Sequence, residues 1–202
     1  MGTVKSTKAN LLIPALIATP SIPMEEYEPI IKDINPNMVQ DCVKYLKTHN
    51  IANRGKFDGS KQDQLIGLVG EMETHYLLKG EYQDLKIKKN EFDGGVDIVH
   101  NKDTYDVKTM ARTVYTKIDF VNNFAKCQED YKCDRIIFTS INKTAKQIEF
   151  CGWIYKNELP LISDLIKKGD VRERNNGTTF IVKEDMYEIP MCELRDIRLL
   201  LD

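Results

Sequence analysis

Phe92-Asp93-Gly94-Gly95-Val96-Asp97-Ile98-Val99-His100-Asn101-Lys102-Asp103-Thr104-Tyr105-Asp106-Val107-Lys108-Thr109 is the stretch on which the fold turns. Residues 96–100 and 104–109 read as two strands joined by the polar turn Asn101-Lys102-Asp103. Residues two apart in a strand share a face, so Asp106 and Lys108 point one way and Val107 the other. A hairpin of these strands brings Asp97 beside Asp106. Two adjacent carboxylates repel and call for a counter-charge. A hard divalent cation with oxygen ligands supplies one, and Lys108 adds a second positive group. A metal held in this way polarises a phosphodiester and lowers the pKa of a bound water. A lysine beside it orients that water or stabilises charge building on the phosphate. Gly94 and Gly95 let a substrate backbone come close. Isolated Asp-x-Lys triplets are common on solvated hairpins, so the neighbourhood decides between the two readings.

Upstream, Asn35 as N-cap and Pro36 at the first helical position open a helix carrying Val39, Cys42, Val43 and Leu46 on one face, with Asn50 as its stop. Residues 53–60 read as a loop. Ser60 with Asp63 forms a capping box that opens a second helix, running to about residue 79. Its apolar stripe is Leu65, Leu68, Val69, Met72 and Tyr76, and Gly80 closes it. Residues 85–88 alternate like a half-buried strand. Downstream, 119–131 has helical spacing with Phe120, Phe124 and Cys127 inward. Residues 135–139 and 148–155 are strands apolar on both faces and therefore central. Residues 159–167 read as a helix, and Asn176-Gly177 marks a hairpin before a strand at 178–182. This order predicts an α/β protein with a mixed sheet.

A chain of 202 residues suffices for one domain with a core. Its apolar fraction of 42 % and charged fraction of 30 % are those of an ordinary globular protein. A net charge of −2 requires any nucleic acid to be met by a local basic surface. Cys42, Cys127, Cys133, Cys151 and Cys192 are scattered without a CxxC pair, and only His49, His75 and His100 offer imidazole. Reduced thiols in a cytoplasmic protein fit better than structural zinc. Residues 1–34 are broken by Pro14, Pro20, Pro23 and Pro29 and form an irregular arm packing on the body. The apolar run at Leu11–Ala18 imitates a signal peptide but is short and contains Pro14, and Met1-Gly2 with Ser6 formally fits a myristoylation signal. No run approaches the ~18–20 apolar residues that span a bilayer, so no membrane association is expected.

Gly70-Glu71 on the second helix, Gly94-Gly95-Val96-Asp97 and Asp106-Val107-Lys108 together resemble the PD-(D/E)XK nuclease superfamily, which includes restriction endonucleases and Holliday-junction resolvases. The resemblance covers about residues 53–155. It departs at Val96, where the family commonly has proline. It implies a restriction-endonuclease-like fold: a mixed central sheet flanked by helices, with residues 1–52 as N-terminal arm and helix and 53–202 as the nuclease-like domain. It implies a Mg²⁺-dependent deoxyribonuclease, with Mn²⁺ as substitute, leaving 5′-phosphate and 3′-hydroxyl ends. Asp97 and Asp106 would bind the metal, the Val107 carbonyl and Glu71 would add ligands, and Lys108 would position the water. Small neighbours at Gly67 and Gly70 let the Glu71 face sit close to something. DNA is the expected partner, met by Thr109, Arg112, Lys86 and Lys88; alternate lysines also serve simply to guard an edge strand. A homodimer is compatible with the reading. The rival is a nuclease fold kept as a DNA- or protein-binding module with feeble or lost catalysis. His75 fits either support of the site or a structural role, Asp93 suits a turn, and Trp153 suits the core.

Overall fold

The computed structural model describes residues 27–48, 59–82, 95–173 and 177–201. The Asn50 stop, the 85–88 strand with Lys86 and Lys88, Asp93, Gly94 and Asn176 lie outside them. Asn35 caps the first helix, α1 (Pro36–Thr48), its side-chain oxygen accepting from the Asn37 amide at 2.9 Å. The second helix, α2 (Lys61–Leu78), starts at the Ser60–Asp63 capping box, in which each side chain takes the other residue's backbone amide. Such reciprocal capping satisfies donors that the first helical turn leaves open.

The strands are β1 (Ile30–Asp33), β2 (Glu81–Tyr82), β3 (Ile98–His100), β4 (Asp103–Arg112), β5 (Val121–Ala125), β6 (Arg135–Asn142) and β7 (Gln147–Tyr155), followed by β8 (Asp164–Ile166), β9 (Val171–Glu173), β10 (Thr179–Ile181) and β11 (Met186–Pro190). A six-stranded sheet runs β1-β7-β6-β4-β3-β2, antiparallel except for the parallel β4–β6 pair. The protein is therefore α/β with a mixed sheet, and β6 and β7 are central as their apolar runs require. β9 and β10 form the expected hairpin. β3 and β4 are joined by Asn101 and Lys102, both at positive φ (49° and 73°), the geometry of a tight hairpin turn.

The parallel register Asp106↔Ile136, Val107↔Ile137, Lys108↔Phe138 assigns the two faces of β4. Tyr105, Val107 and Ile137 share a core with Leu68 and Val69 of α2 and with Met38 and Cys42 of α1. Ile136 and Phe138 share the other core with Phe124 of β5 and with Tyr187 and Ile189 of β11. The helices cover one face, and the three-stranded sheet β5-β11-β8 covers the other. Asp106 and Lys108 point toward this second sheet, away from α2.

Three expectations need correction. Residues 119–131 form β5 and a 3-10 turn at Lys126–Gln128, not a helix. The spacing of Phe120, Phe124 and Cys127 suits a helix, but Asn122 and Phe124 alternate inward while β5 pairs along its length with β11, and Cys127 is exposed. The segment expected to be a flanking helix is thus a strand of the covering sheet. At 159–167, helix α3 covers only Leu159–Ile162 before the chain extends into β8. The arm is not wholly irregular, because its end, β1, pairs with β7. Residues 30–48 thereby belong to the same sheet and core as the rest.

Gly70 is where α2 meets the sheet. A Cβ there would lie 1.8 Å from Thr109 Oγ1, so no side chain fits without separating helix from strand. Gly70→Ala should cost about 1–3 kcal/mol in urea unfolding, the range for overpacked cores; no loss would show that α2 slides freely on β4.

Candidate functional site

The hairpin brings Asp97, Asp106 and Lys108 together. β3 is short, so the Val107 amide, directed off β4, has no strand partner. Asp97 supplies one: its Oδ2 accepts from the Val107 nitrogen at 2.6 Å, the peptide nitrogen that follows Asp106. The Asp97 amide donates to the Tyr105 carbonyl at 2.9 Å, which fixes the residue against β4. Asp106 is 2 % exposed and Asp97 6 %. Lys108 Nζ donates to Asp106 Oδ1 at 2.6 Å. Asp106 Oδ2 is buried and has no hydrogen-bond partner among the described residues. An uncompensated carboxylate oxygen in the interior is costly, and such an atom asks for a cation or a water.

Aromatic rings flank Lys108. Lys108 Nζ stands 5.6 Å from the Phe124 ring centroid and 6.0 Å from that of Tyr131. Gly95 has φ 82°, and a Cβ on it would lie 2.1 Å from the Tyr131 ring. The close approach that glycine permits is therefore taken by Tyr131. The chain around Tyr131 is clamped by Lys156, whose Nζ donates to the Glu129 carbonyl at 2.6 Å and also to the Tyr131 carbonyl. Sequence reading missed Phe124, Tyr131, Cys133 and Lys156; none carries a local signal, since each reaches the site through tertiary contacts.

Glu71 is not gathered with these groups. Its helix lies on the Val107–Thr109 face, across the sheet from Asp106 and Lys108. Burial pushes the Cys133 thiol up to about 12, with Asp106, Lys156, Lys108 and Asp97 acting on it. Burial pushes Cys42 of α1 up to about 11, and there the largest charge effect is that of Glu71. The buried acid of α2 is Glu73, which accepts from the Asn35 amide at 3.3 Å and ties α2 to the start of α1. Among the described residues no group of three or more His, Cys, Asp or Glu is placed to hold a metal.

Two expected DNA contacts have other roles. Thr109 lies under Gly70 and accepts from Thr139 Oγ1 at 2.9 Å. Arg112 donates to the Val121 carbonyl at 2.8 Å and stacks on Phe120 at 4.9 Å, so it fastens β5. Burial makes its guanidinium easier to deprotonate than usual. Trp153 is buried, its indole N–H donating to the Asp196 carbonyl at 3.0 Å. The five cysteines are all free.

Beside the site a cleft of about 580 Å³ is lined by Cys133, Asp134, Arg135, Tyr155 and Lys156 among others. Asp134 is held below its ordinary pKa by hydrogen bonds from the Thr104 hydroxyl and amide. Arg135 is paired with Asp103 at 2.6 Å. Among the described residues no helix is long and apolar enough to cross a membrane. Comparison with family models, curated proteins and solved structures found no match to this chain.

Proposed function

We propose that this chain is a metal-dependent nuclease of restriction-endonuclease-like architecture that hydrolyses DNA phosphodiesters. One observation carries the reading: Asp106 Oδ2 is buried and has no partner among the described residues, near Asp97, on the strand face that also bears Lys108. A divalent cation there would offset the two carboxylates and polarise the phosphodiester. Asp97, Asp106 and the Val107 carbonyl would hold it. Magnesium often takes one or two carboxylates and keeps several waters, so a pair of acids fits its chemistry without a larger cage. Lys108, released from Asp106 Oδ1, would orient the attacking water or meet charge on the phosphate. The free cysteines support a reducing, cytoplasmic setting.

The acids' enclosure favours a second reading, in which the fold is retained as a binding module. Asp97 already serves the Val107 amide, and Lys108 already neutralises Asp106. A panel of duplex, flap, junction and single-stranded DNA, with matching RNA, separates the two. Cleavage in Mg²⁺ or Mn²⁺ and silence in EDTA is expected, with Glu71→Gln cutting at close to the wild-type rate. Binding without cleavage under every metal condition would establish the module instead.

A further inference from the structure

We propose that the segment 129–133 is a strap over the acid pair, latched by Lys156, and that a nucleic-acid phosphate entering the neighbouring cleft releases it by drawing Lys156 away from the Glu129 and Tyr131 carbonyls. This rests on the nuclease reading and names how that site admits its substrate.

Three observations converge on it. Asp97 and Asp106 are buried, so a phosphodiester reaches them only if something moves. Beside them stands the Tyr131 ring, packed against Gly95 and 6.0 Å from Lys108 Nζ, on a short segment whose Tyr131 amide donates to the Gln128 carbonyl at 3.1 Å. That segment is fastened from outside by Lys156, just past the end of β7. Lys156 is also the cleft's distinctive cation. Arg135 is neutralised by Asp103, whereas Lys156 makes no ion pair among the described residues and bonds only to neutral carbonyls. A phosphate oxygen is the stronger acceptor for an ammonium group, because the bond is then charge-assisted on both sides. The exchange frees both carbonyls at once. Substrate in the cleft and an open strap are thereby linked, which keeps the acid pair covered until a phosphate is present.

Cys133 reports the strap directly, being 7 % exposed, part of the segment and part of the cleft wall. The test is maleimide labelling of intact protein in EDTA, mapped by peptide mass, with buried Cys42 and Cys151 as internal controls. A single-stranded oligodeoxynucleotide should speed Cys133 labelling in the wild type by about tenfold or more, the scale of a local opening shifted by a ligand, and leave Cys42 and Cys151 unchanged. Lys156→Met should label fast without DNA and gain nothing from it. The proposal is overturned if the oligonucleotide leaves wild-type Cys133 unchanged, or if all three thiols respond together. It is likewise overturned if Cys133 in Lys156→Met labels at the wild-type rate. The wild-type arm needs no substitution, so instability of the variant cannot mask the answer. Labelling that responds while no substrate is ever cleaved removes the nuclease reading and keeps the strap; cleavage without a labelling response does the reverse.

Discussion

Asp106→Ala should abolish both Mn²⁺ binding and cleavage, whereas Lys108→Ala should slow cleavage sharply and strengthen Mn²⁺ binding. The asymmetry follows from the 2.6 Å contact between Lys108 Nζ and Asp106 Oδ1. On the proposed reading the lysine and a cation would compete for the same carboxylate. Removing it frees both oxygens of a side chain that is 2 % exposed. A cation would then gain a ligand atom and lose a repelling neighbour. Cleavage should fall by about 10²–10³-fold in Lys108→Ala, the usual loss when one transition-state electrostatic group is deleted. Stability in EDTA should fall as well, by as much as ~3–5 kcal/mol, because the buried carboxylate loses its ion-pair partner. Added Mn²⁺ should restore the melting temperature. Titration calorimetry with Mn²⁺, beside thermal melts with and without the ion, reads all three quantities. If Lys108→Ala weakens Mn²⁺ binding as much as Asp106→Ala does, the assigned roles are wrong.

Glu158→Ala should produce the largest loss of stability outside the site, about 3–5 kcal/mol. Glu158 and Arg195 are both buried and form a two-pronged pair, Nη1 to Oε2 at 2.6 Å and Nη2 to Oε1 at 2.7 Å. Arg195 exchanges backbone hydrogen bonds with Trp153, and its guanidinium lies over the rings of Trp153 and Tyr155 at 5.2 and 4.9 Å. The pair therefore locks the chain's last segment onto β7 near Lys156. Truncating the acid takes the two-pronged carboxylate from a buried guanidinium, which costs far more than the pair's net worth. Glu158→Gln should cost less, since the amide keeps one acceptor. The double change Glu158→Ala/Arg195→Met should recover much of the loss by replacing charge with apolar contact. Urea unfolding decides: a change below about 1 kcal/mol in Glu158→Ala would mean that solvent reaches the arginine.

Where a feature's cause is local, its sequence was sufficient. The Asn35–Pro36 start of α1 and the Ser60–Asp63 box of α2 act within one helical turn, and both form as read. The β3–β4 hairpin follows from a polar pair between alternating strands, and its alternation alone puts Asp106 and Lys108 on one face. The central placement of β6 and β7 follows from apolar residues on both of their faces.

Tertiary structure decided whatever depended on a partner distant in sequence. Residues 121–125 satisfy a helical or an extended pattern, and the choice falls to residues 186–190, which offer a complete ladder. Glu71 and Glu73 differ by 200° around α2, and only packing against α1 selects Glu73 as the buried acid. Arg112 is a cation by composition but a fastener by position, because β5 brings the Val121 carbonyl to it. The rings over Lys108 come from β5 and from the segment beyond it, and the latch on that segment comes from the residue after β7. Periodicity along the chain reports which side of a strand a residue occupies; what lies against that side is settled by long-range pairing.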